Sequence, residues 1–153
     1  MQETRKLADQ LRRAFYAEAW HGPSVMEVLK GVTADMAATR PVPGAHTIWE
    51  IVLHTAAWER IVTDRLEGRY EEPSDDQDWP TVSDSGEEAW VSALKFLKDT
   101  HERLEEVVSK MDDALLNQAI PDWEFTRYFL LQGVIQHDLY HAGQIALLKK
   151  SFD

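Results

Sequence analysis

Apolar residues recur along most of the chain at steps of three and four positions, the spacing of one face of an α-helix. No segment alternates apolar and polar residues with the period of two that marks a half-buried strand. The pattern therefore predicts an all-α protein. Its clearest stripe consists of Trp90, Ala93, Leu97, Thr100, Leu104, Val107 and Met111.

Capping signals divide this pattern into separate helices. A Ser or Thr followed three residues later by Glu predicts a capping box, in which the two side chains satisfy free backbone N–H groups at a helix start. The sequence holds three such pairs, which are Ser24 with Glu27, Thr47 with Glu50, and Ser85 with Glu88. Gly68 is the predicted C-terminal cap of the helix that begins at Thr47.

These boundaries predict four main helices. The predicted helices cover residues from about 7 to 20 with a restart at 24–30, then 47–66, 85–111 and about 126–150. A long connection rich in Asp, Glu, Ser and Pro, residues 69–84, joins the second and third helices. Loops of this length in a compact domain are often functional. We therefore expect one domain, residues 1–153, folded as a four-helix bundle with a long crossover between helices 2 and 3.

Composition narrows the classes of partner. The chain has 16 Lys and Arg against 27 Asp and Glu, a net charge of −11, which argues against nucleic acid and against an anionic membrane surface. It has no cysteine, so disulfides, thiolate metal sites and a cysteine nucleophile are excluded. It shows neither a signal peptide nor an apolar run of membrane-spanning length. We expect a soluble cytoplasmic protein with a small-molecule substrate.

The predicted inward stripe of the last helix is apolar at both ends and polar in its middle. Its residues are Leu130, Val134, His137, His141, Gln144 and Leu148. His137 and His141 are four positions apart, about 6 Å of rise on one helix face. That spacing lets both imidazoles reach one metal ion.

A third histidine, His54, lies within an apolar band of the second predicted helix. Three neutral imidazoles suit zinc, nickel, cobalt or iron. Three protein ligands leave a coordination position open for water or substrate, which is the catalytic pattern. The alternative is a cluster of buried, hydrogen-bonded polar residues without a metal, and the spacing alone leaves both open.

Two segments carry a resemblance to a known family. Residues 46–58, His-Thr-Ile-Trp-Glu-Ile-Val-Leu-His-Thr-Ala-Ala-Trp, together with the His-x-x-x-His-x-Gly-Gln element at 137–144, resemble the DinB/YfiT-like family of small metalloproteins. The Trp-His-Gly-Pro-Ser segment at 20–24 resembles one of its subfamilies. The resemblance covers nearly the whole chain. It implies a four-helix bundle with the same crossover, and a divalent ion, zinc or nickel foremost, held by His54, His137 and His141.

The family implies a class of reaction but not a substrate. Some members are transferases or isomerases that use a low-molecular-weight thiol such as bacillithiol, mycothiol or glutathione, and others are described as hydrolases. Because this chain has no thiol of its own, a thiol would have to enter as a cosubstrate. We expect a metal-dependent thiol transferase, with a hydrolase, a non-catalytic metal or small-ligand binding protein, and an interaction module as alternatives. Homodimers are common among relatives.

Further residues are candidates for the surroundings of the metal, although none is singled out as a catalytic acid or base. Glu50, one turn before His54, either orients a ligand or only completes its capping box. Gln144, one turn after His141, has two candidate roles. It holds an imidazole or a bound water beside the metal, or it forms a structural hydrogen bond to a helix carbonyl.

The candidate pocket residues are aromatic. They are Trp58, Trp79 and Trp123, the last two in irregular segments. The acidic run of Asp75, Asp76 and Asp78 lacks the glycine and glutamate of an EF-hand loop and is expected to be solvated, as is His101. The connection 69–84 and the turn near Trp123 are expected to close over the mouth of a cleft between helices 2 and 4.

Overall fold

The computed structural model describes residues 2–153, so Met1 of the predicted domain lies outside the described residues. Its helices are α1 Glu3–Phe15, α2 Val25–Leu29, α3 Ala34–Ala38, α4 Ile48–Leu66, α5 Asp75–Asp78, α6 Glu87–Lys110 and α7 Arg127–Lys149. Within residues 2–153 there is no β-strand, only an isolated bridge between Ala119 and Thr126. The predicted all-α class is confirmed. None of the described helices is long and apolar enough to cross a membrane.

Two of the three predicted capping boxes form. The box at the start of α4 has both of its reciprocal hydrogen bonds, and at the start of α2 the Glu27 carboxylate accepts the Ser24 N–H at 2.8 Å. The third prediction was wrong, because α6 takes Gly86 as its N-cap and the Asp84 carboxylate accepts the Gly86 N–H at 2.8 Å. With Gly86 as the cap, the third helical position is Ala89, which has no oxygen to complete a box.

Four long helices pack around two apolar clusters that lie at opposite ends of the molecule. The first halves of α4 and α6 and the end of α7 belong to one cluster, and the opposite halves belong to the other. Helices α4 and α6 therefore run in the same direction, and α7 runs against them. The connection between them, residues 67–86 with the short α5, must return along the length of α4.

A layer of polar side chains separates the two apolar clusters. Its charged and titratable members, contributed by α4, α6 and α7, are His54, Glu59, His101, His137, Asp138 and His141. The expectation that His101 is solvated was wrong: it is 0% exposed, and its ring stacks on Phe15 with centroids 3.8 Å apart. Positions 100 and 101 are both buried, since α6 is covered by both α1 and α4.

Candidate metal centre

Three imidazoles from two helices, those of His54, His137 and His141, meet in the polar layer and are hereafter called the triad. His54 comes from α4, and His137 and His141 come from consecutive turns of α7. The Nε2 atom of His137 lies 3.0 Å from Nε2 of His54 and 3.1 Å from Nε2 of His141. The structure thus brings together the three residues that the sequence singled out, 83 positions apart along the chain in the case of His54 and His137.

Hydrogen bonds on the far side of two rings define which nitrogen faces inward. The Nδ1–H of His54 donates to the backbone carbonyl of Asp78 at 2.7 Å, and the Nδ1–H of His141 donates to Oε1 of Gln144 at 2.6 Å. A carbonyl oxygen can only accept, so the Nε2 lone pairs of both neutral rings point at the shared centre. Burial lowers the pKa of His54, and that of His141 to about 4, which favours these neutral forms.

The inward nitrogens fit a metal ion. Two nitrogens bound to one zinc ion at about 2.0–2.1 Å, with bond angles of about 90–110°, are about 2.9–3.4 Å apart. The distances from His137 to the other two rings fall in this range. Lone pairs this close to each other need a cation or a proton between them, and one ion would serve all three.

The connection between α4 and α6 forms one wall of the centre. Trp79 stacks on His54 with centroids 3.7 Å apart and on His46 at 3.6 Å. Trp58 donates its Nε1–H to the Asp78 carboxylate at 2.7 Å. Asp78, which was expected to be solvated, is therefore half-buried and uses both its carbonyl and its carboxylate to hold groups around the triad.

A cleft of about 390 Å³ opens beside His137. Its lining is mainly aromatic and aliphatic and includes Trp58, Val62, Trp123, Phe125, Phe129 and Val134. Arg65, almost buried, lies with its guanidinium 4.3 Å from the centre of the Trp123 ring, and Glu72 approaches it to 3.7 Å. The turn near Trp123 and the start of the long connection thus meet at this cleft.

The two polar candidates beside the ligands differ in what they do. Gln144 bonds His141 and also donates to the Tyr140 hydroxyl at 3.1 Å, so it orients a triad ring. Glu50 is engaged elsewhere: its carboxylate accepts the Thr47 N–H at 2.6 Å and pairs with Arg40 at 2.8 Å. Of the two roles considered for Glu50, the capping role is the one whose geometry the structure shows.

Sequence reasoning missed a second group, Glu59, His101 and Asp138, hereafter the buried cluster. All three residues are 0% exposed, and the His101 Nδ1 lies 2.7 Å from Oε1 of Glu59. Neither carboxylate oxygen of Asp138 has a hydrogen-bond partner; the nearest group of the triad is Nδ1 of His137, 3.7 Å away. An orphaned buried group of this kind costs about 1–3 kcal/mol.

Burial dominates the electrostatics of this cluster. It raises the pKa of Glu59 to about 8 and that of Asp138 to about 7, and it lowers the pKa of His101 to about 4. A signal for the cluster was present in the sequence, because Glu59 is four positions after Thr55 and three before Val62, on the inward stripe of its helix. Asp138 directly follows His137 and therefore lies on a neighbouring face of α7. That face was not predicted to be buried.

Fold and site together define the class: an all-α protein with a candidate three-histidine metal centre beside an apolar cleft. The profile of the DinB superfamily matches residues 18–145, and the chain belongs to this superfamily. It is similar in fold to a solved structure described as a conserved protein from Enterococcus faecalis, with a TM-score of 0.75, 18% identity, and coverage of 99% of this chain and 97% of that one. No curated protein matches the sequence.

Proposed function

We propose that the chain is a divalent-metal-dependent enzyme, a transferase that uses a low-molecular-weight thiol at the three-histidine centre. The observation that carries the proposal is the convergence of the Nε2 atoms of His54, His137 and His141 beside a cleft. Membership of the DinB superfamily supports the metal, zinc or nickel foremost. The resemblance to thiol-using DinB/YfiT-like proteins supports the class of reaction.

The open side of the centre is the reason for proposing catalysis. A divalent ion on three protein nitrogens keeps a position for an outside ligand and lowers the pKa of a thiol or water placed there. The chain contains no cysteine, so the sulfur must come from a cosubstrate. The apolar lining of the cleft next to His137 favours an electrophilic substrate with an apolar body.

The surrounding residues keep the centre in one geometry. Asp78 and Trp79 hold the ring of His54, and Gln144 holds the ring of His141. Because these contacts restrict ring rotation, the Nε2 atoms of His54 and His141 are preorganised before a ligand arrives. The connection 67–86 also covers one side of the centre, which limits the access of water.

A hydrolase is the second candidate, because nothing in the lining of the cleft selects sulfur over oxygen at the open position. A protein that only binds a metal or a small ligand is the third. A cytoplasmic location and a homodimer stay predictions of the sequence.

The test is a screen of tag-free, zinc-loaded protein with thiols and an aryl halide. The thiolate sulfur attacks the ring carbon, a C–S bond forms, the C–halogen bond breaks, halide leaves and the thiol proton passes to solvent. Activity with at least one thiol is expected in the wild type and in the control His21→Ala, whose histidine is exposed.

The double variant His137→Ala, His141→Ala should fold and lose the activity. A thiol transfer that survives this change would exclude the triad as its cause. Hydrolysis of an activated ester without any thiol would favour the hydrolase. A zinc-loaded protein that supports neither reaction would favour the binding protein.

A further inference from the structure

The buried cluster contains groups that lack a hydrogen-bond partner while its carboxyl groups are ionised. Both oxygens of Asp138 and the Nε2 atom of His101 are without a hydrogen bond, although both residues are 0% exposed. Glu59 is equally sealed and is bonded within the cluster, to His101, and to Thr100 at 3.3 Å. A carboxylate enclosed in this way requires a proton, a water molecule or a cation.

We propose that Glu59, His101 and Asp138 form a second cation site, which takes a divalent transition-metal ion. Helices α4, α6 and α7 each supply one donor, and the donor atoms all lie within 4.8 Å of one another. Three equidistant donors bound to one ion at about 2.0–2.2 Å are at most about 3.8 Å apart, so a contraction of at most about 1 Å closes the site. Two carboxylates and a neutral imidazole balance the charge of the ion.

The second site differs from the triad in its exposure to solvent and in its donor atoms. His137 and Asp138 are consecutive residues of α7, yet the side chain of His137 is 25% exposed and that of Asp138 is sealed. The triad offers three nitrogens, whereas the buried cluster offers two oxygens and one nitrogen, a mixed donor set that manganese, iron and zinc accept. The second site therefore shares no ligand with the triad and does not depend on the proposed function.

The three donor atoms within 4.8 Å of one another mark the place of the ion, and their protonation states are compatible with it. Burial holds Glu59 as a neutral acid and His101 as a neutral ring, since it raises the pKa of the first and lowers that of the second. A cation that enters takes the place of the Glu59 acid proton, which passes to solvent, binds a lone pair of the neutral His101 ring and becomes the partner of the Asp138 oxygens. Such a site is reached only when the helices open, so binding and release are expected to be slow.

The experiment counts zinc ions per chain in tag-free protein, by elemental analysis after equilibration with zinc and gel filtration in a zinc buffer. We expect two ions in the wild type, one in His54→Ala, His141→Ala, and one in Glu59→Gln, Asp138→Asn. The matched control Glu102→Gln removes an exposed carboxylate next to His101 and should retain two ions. A variant with all four changes measures binding elsewhere on this acidic chain and should retain none.

The outcomes separate this site from the triad. One ion in the wild type that disappears in His54→Ala, His141→Ala overturns the second site and leaves the triad standing. One ion that disappears only in Glu59→Gln, Asp138→Asn supports the second site and removes the triad. Two ions in Glu59→Gln, Asp138→Asn, or none in the wild type, overturn the inference.

Two safeguards keep these results decisive. Protein refolded from urea in the presence of zinc is counted beside the equilibrated sample, because the refolded chain closes around the ion and slow entry no longer matters. If the double amide variant does not recover its helical circular dichroism, Asp138→Asn alone replaces it. The single variant is expected to lose the same ion, and a count of two in it contradicts the proposal.

Discussion

The triad and the buried cluster lie in the same polar layer, yet their surroundings give them different properties. Both draw donors from α4 and α7, and both consist of three titratable residues. His137 of the triad borders a cleft, and Asp78 and Gln144 anchor the other two rings from outside. The buried cluster has no opening and leaves Asp138 without a partner. Access to solvent, more than the number of donors, separates a centre suited to chemistry from one that bears on stability.

The largest expected effect is on stability and falls on the buried cluster. His101→Ala removes the partner of Glu59 and the ring stacked on Phe15, so we expect a loss of about 3–5 kcal/mol in the free energy of unfolding. Urea denaturation monitored by circular dichroism measures it. The control His21→Ala should stay within about 0.5 kcal/mol of the wild type. A loss below about 1 kcal/mol in His101→Ala would show that the buried cluster does not stabilise the fold and so does not differ from the triad in this way.

The second effect is on metal affinity and falls on the triad. His54→Ala removes one of three converging nitrogens, and we expect zinc to bind more than about 100-fold more weakly, beyond what the loss of an outer partner causes. Competition with a chromophoric chelator measures the affinity of the triad for zinc. His46→Ala is the matched control, since His46 stacks on Trp79 but its ring does not belong to the triad. Equal losses in the two variants would show that aromatic packing, not ligation, holds the ion.

The third effect is the pH dependence of metal-free protein. The pKa of Glu59 is about 8 when folded and near 4.5 when unfolded, so its contribution to stability is complete below about pH 4.5 and is lost as the pH rises through 8. The lowered pKa of His101 acts between about pH 4 and 6.5, in the opposite direction. The raised pKa of Asp138, about 7, acts in the same direction as that of Glu59, so between pH 6.5 and 8 we expect a loss of about 2 kcal/mol.

Thermal and urea unfolding in a chelator at pH 6.5 and pH 8 test this loss. Glu59→Gln cannot ionise and should show a much flatter profile over the same interval. A wild-type protein that gains stability from pH 6.5 to 8 without metal would mean that Glu59 is already ionised and that burial does not control the cluster.

The smallest effect concerns the outer support of the triad. Gln144→Ala removes the acceptor of the His141 Nδ1–H, and we expect zinc to bind about tenfold more weakly. Titration calorimetry against a competing chelator resolves such a change. Gln136→Ala, exposed on the same helix, is the control and should bind as the wild type does. An unchanged affinity in Gln144→Ala would show that packing alone orients His141.

The helices and the histidine pair were predictable because local rules govern them. Apolar periodicity placed the long helices, the box at Thr47 placed the start of α4, and the box at Ser24 placed the start of the short α2. The spacing of His137 and His141 within one helix already puts both rings on one face. The box at Ser85 failed because a competing local cap, Gly86 with the Asp84 carboxylate, lies one residue away.

The tertiary structure alone decided what surrounds these residues. Asp78 reaches His54 across 24 positions, and His101 meets Glu59 across 42, through packing that no local spacing encodes. The polar character of Glu59, His101 and Asp138 was plain in the sequence, but their burial was not, since it depends on α1, α4, α6 and α7 closing over one layer. The sequence by itself determined the helices and the paired imidazoles. The packing of the helices determined which charges are sealed from water, and with that their pKa values.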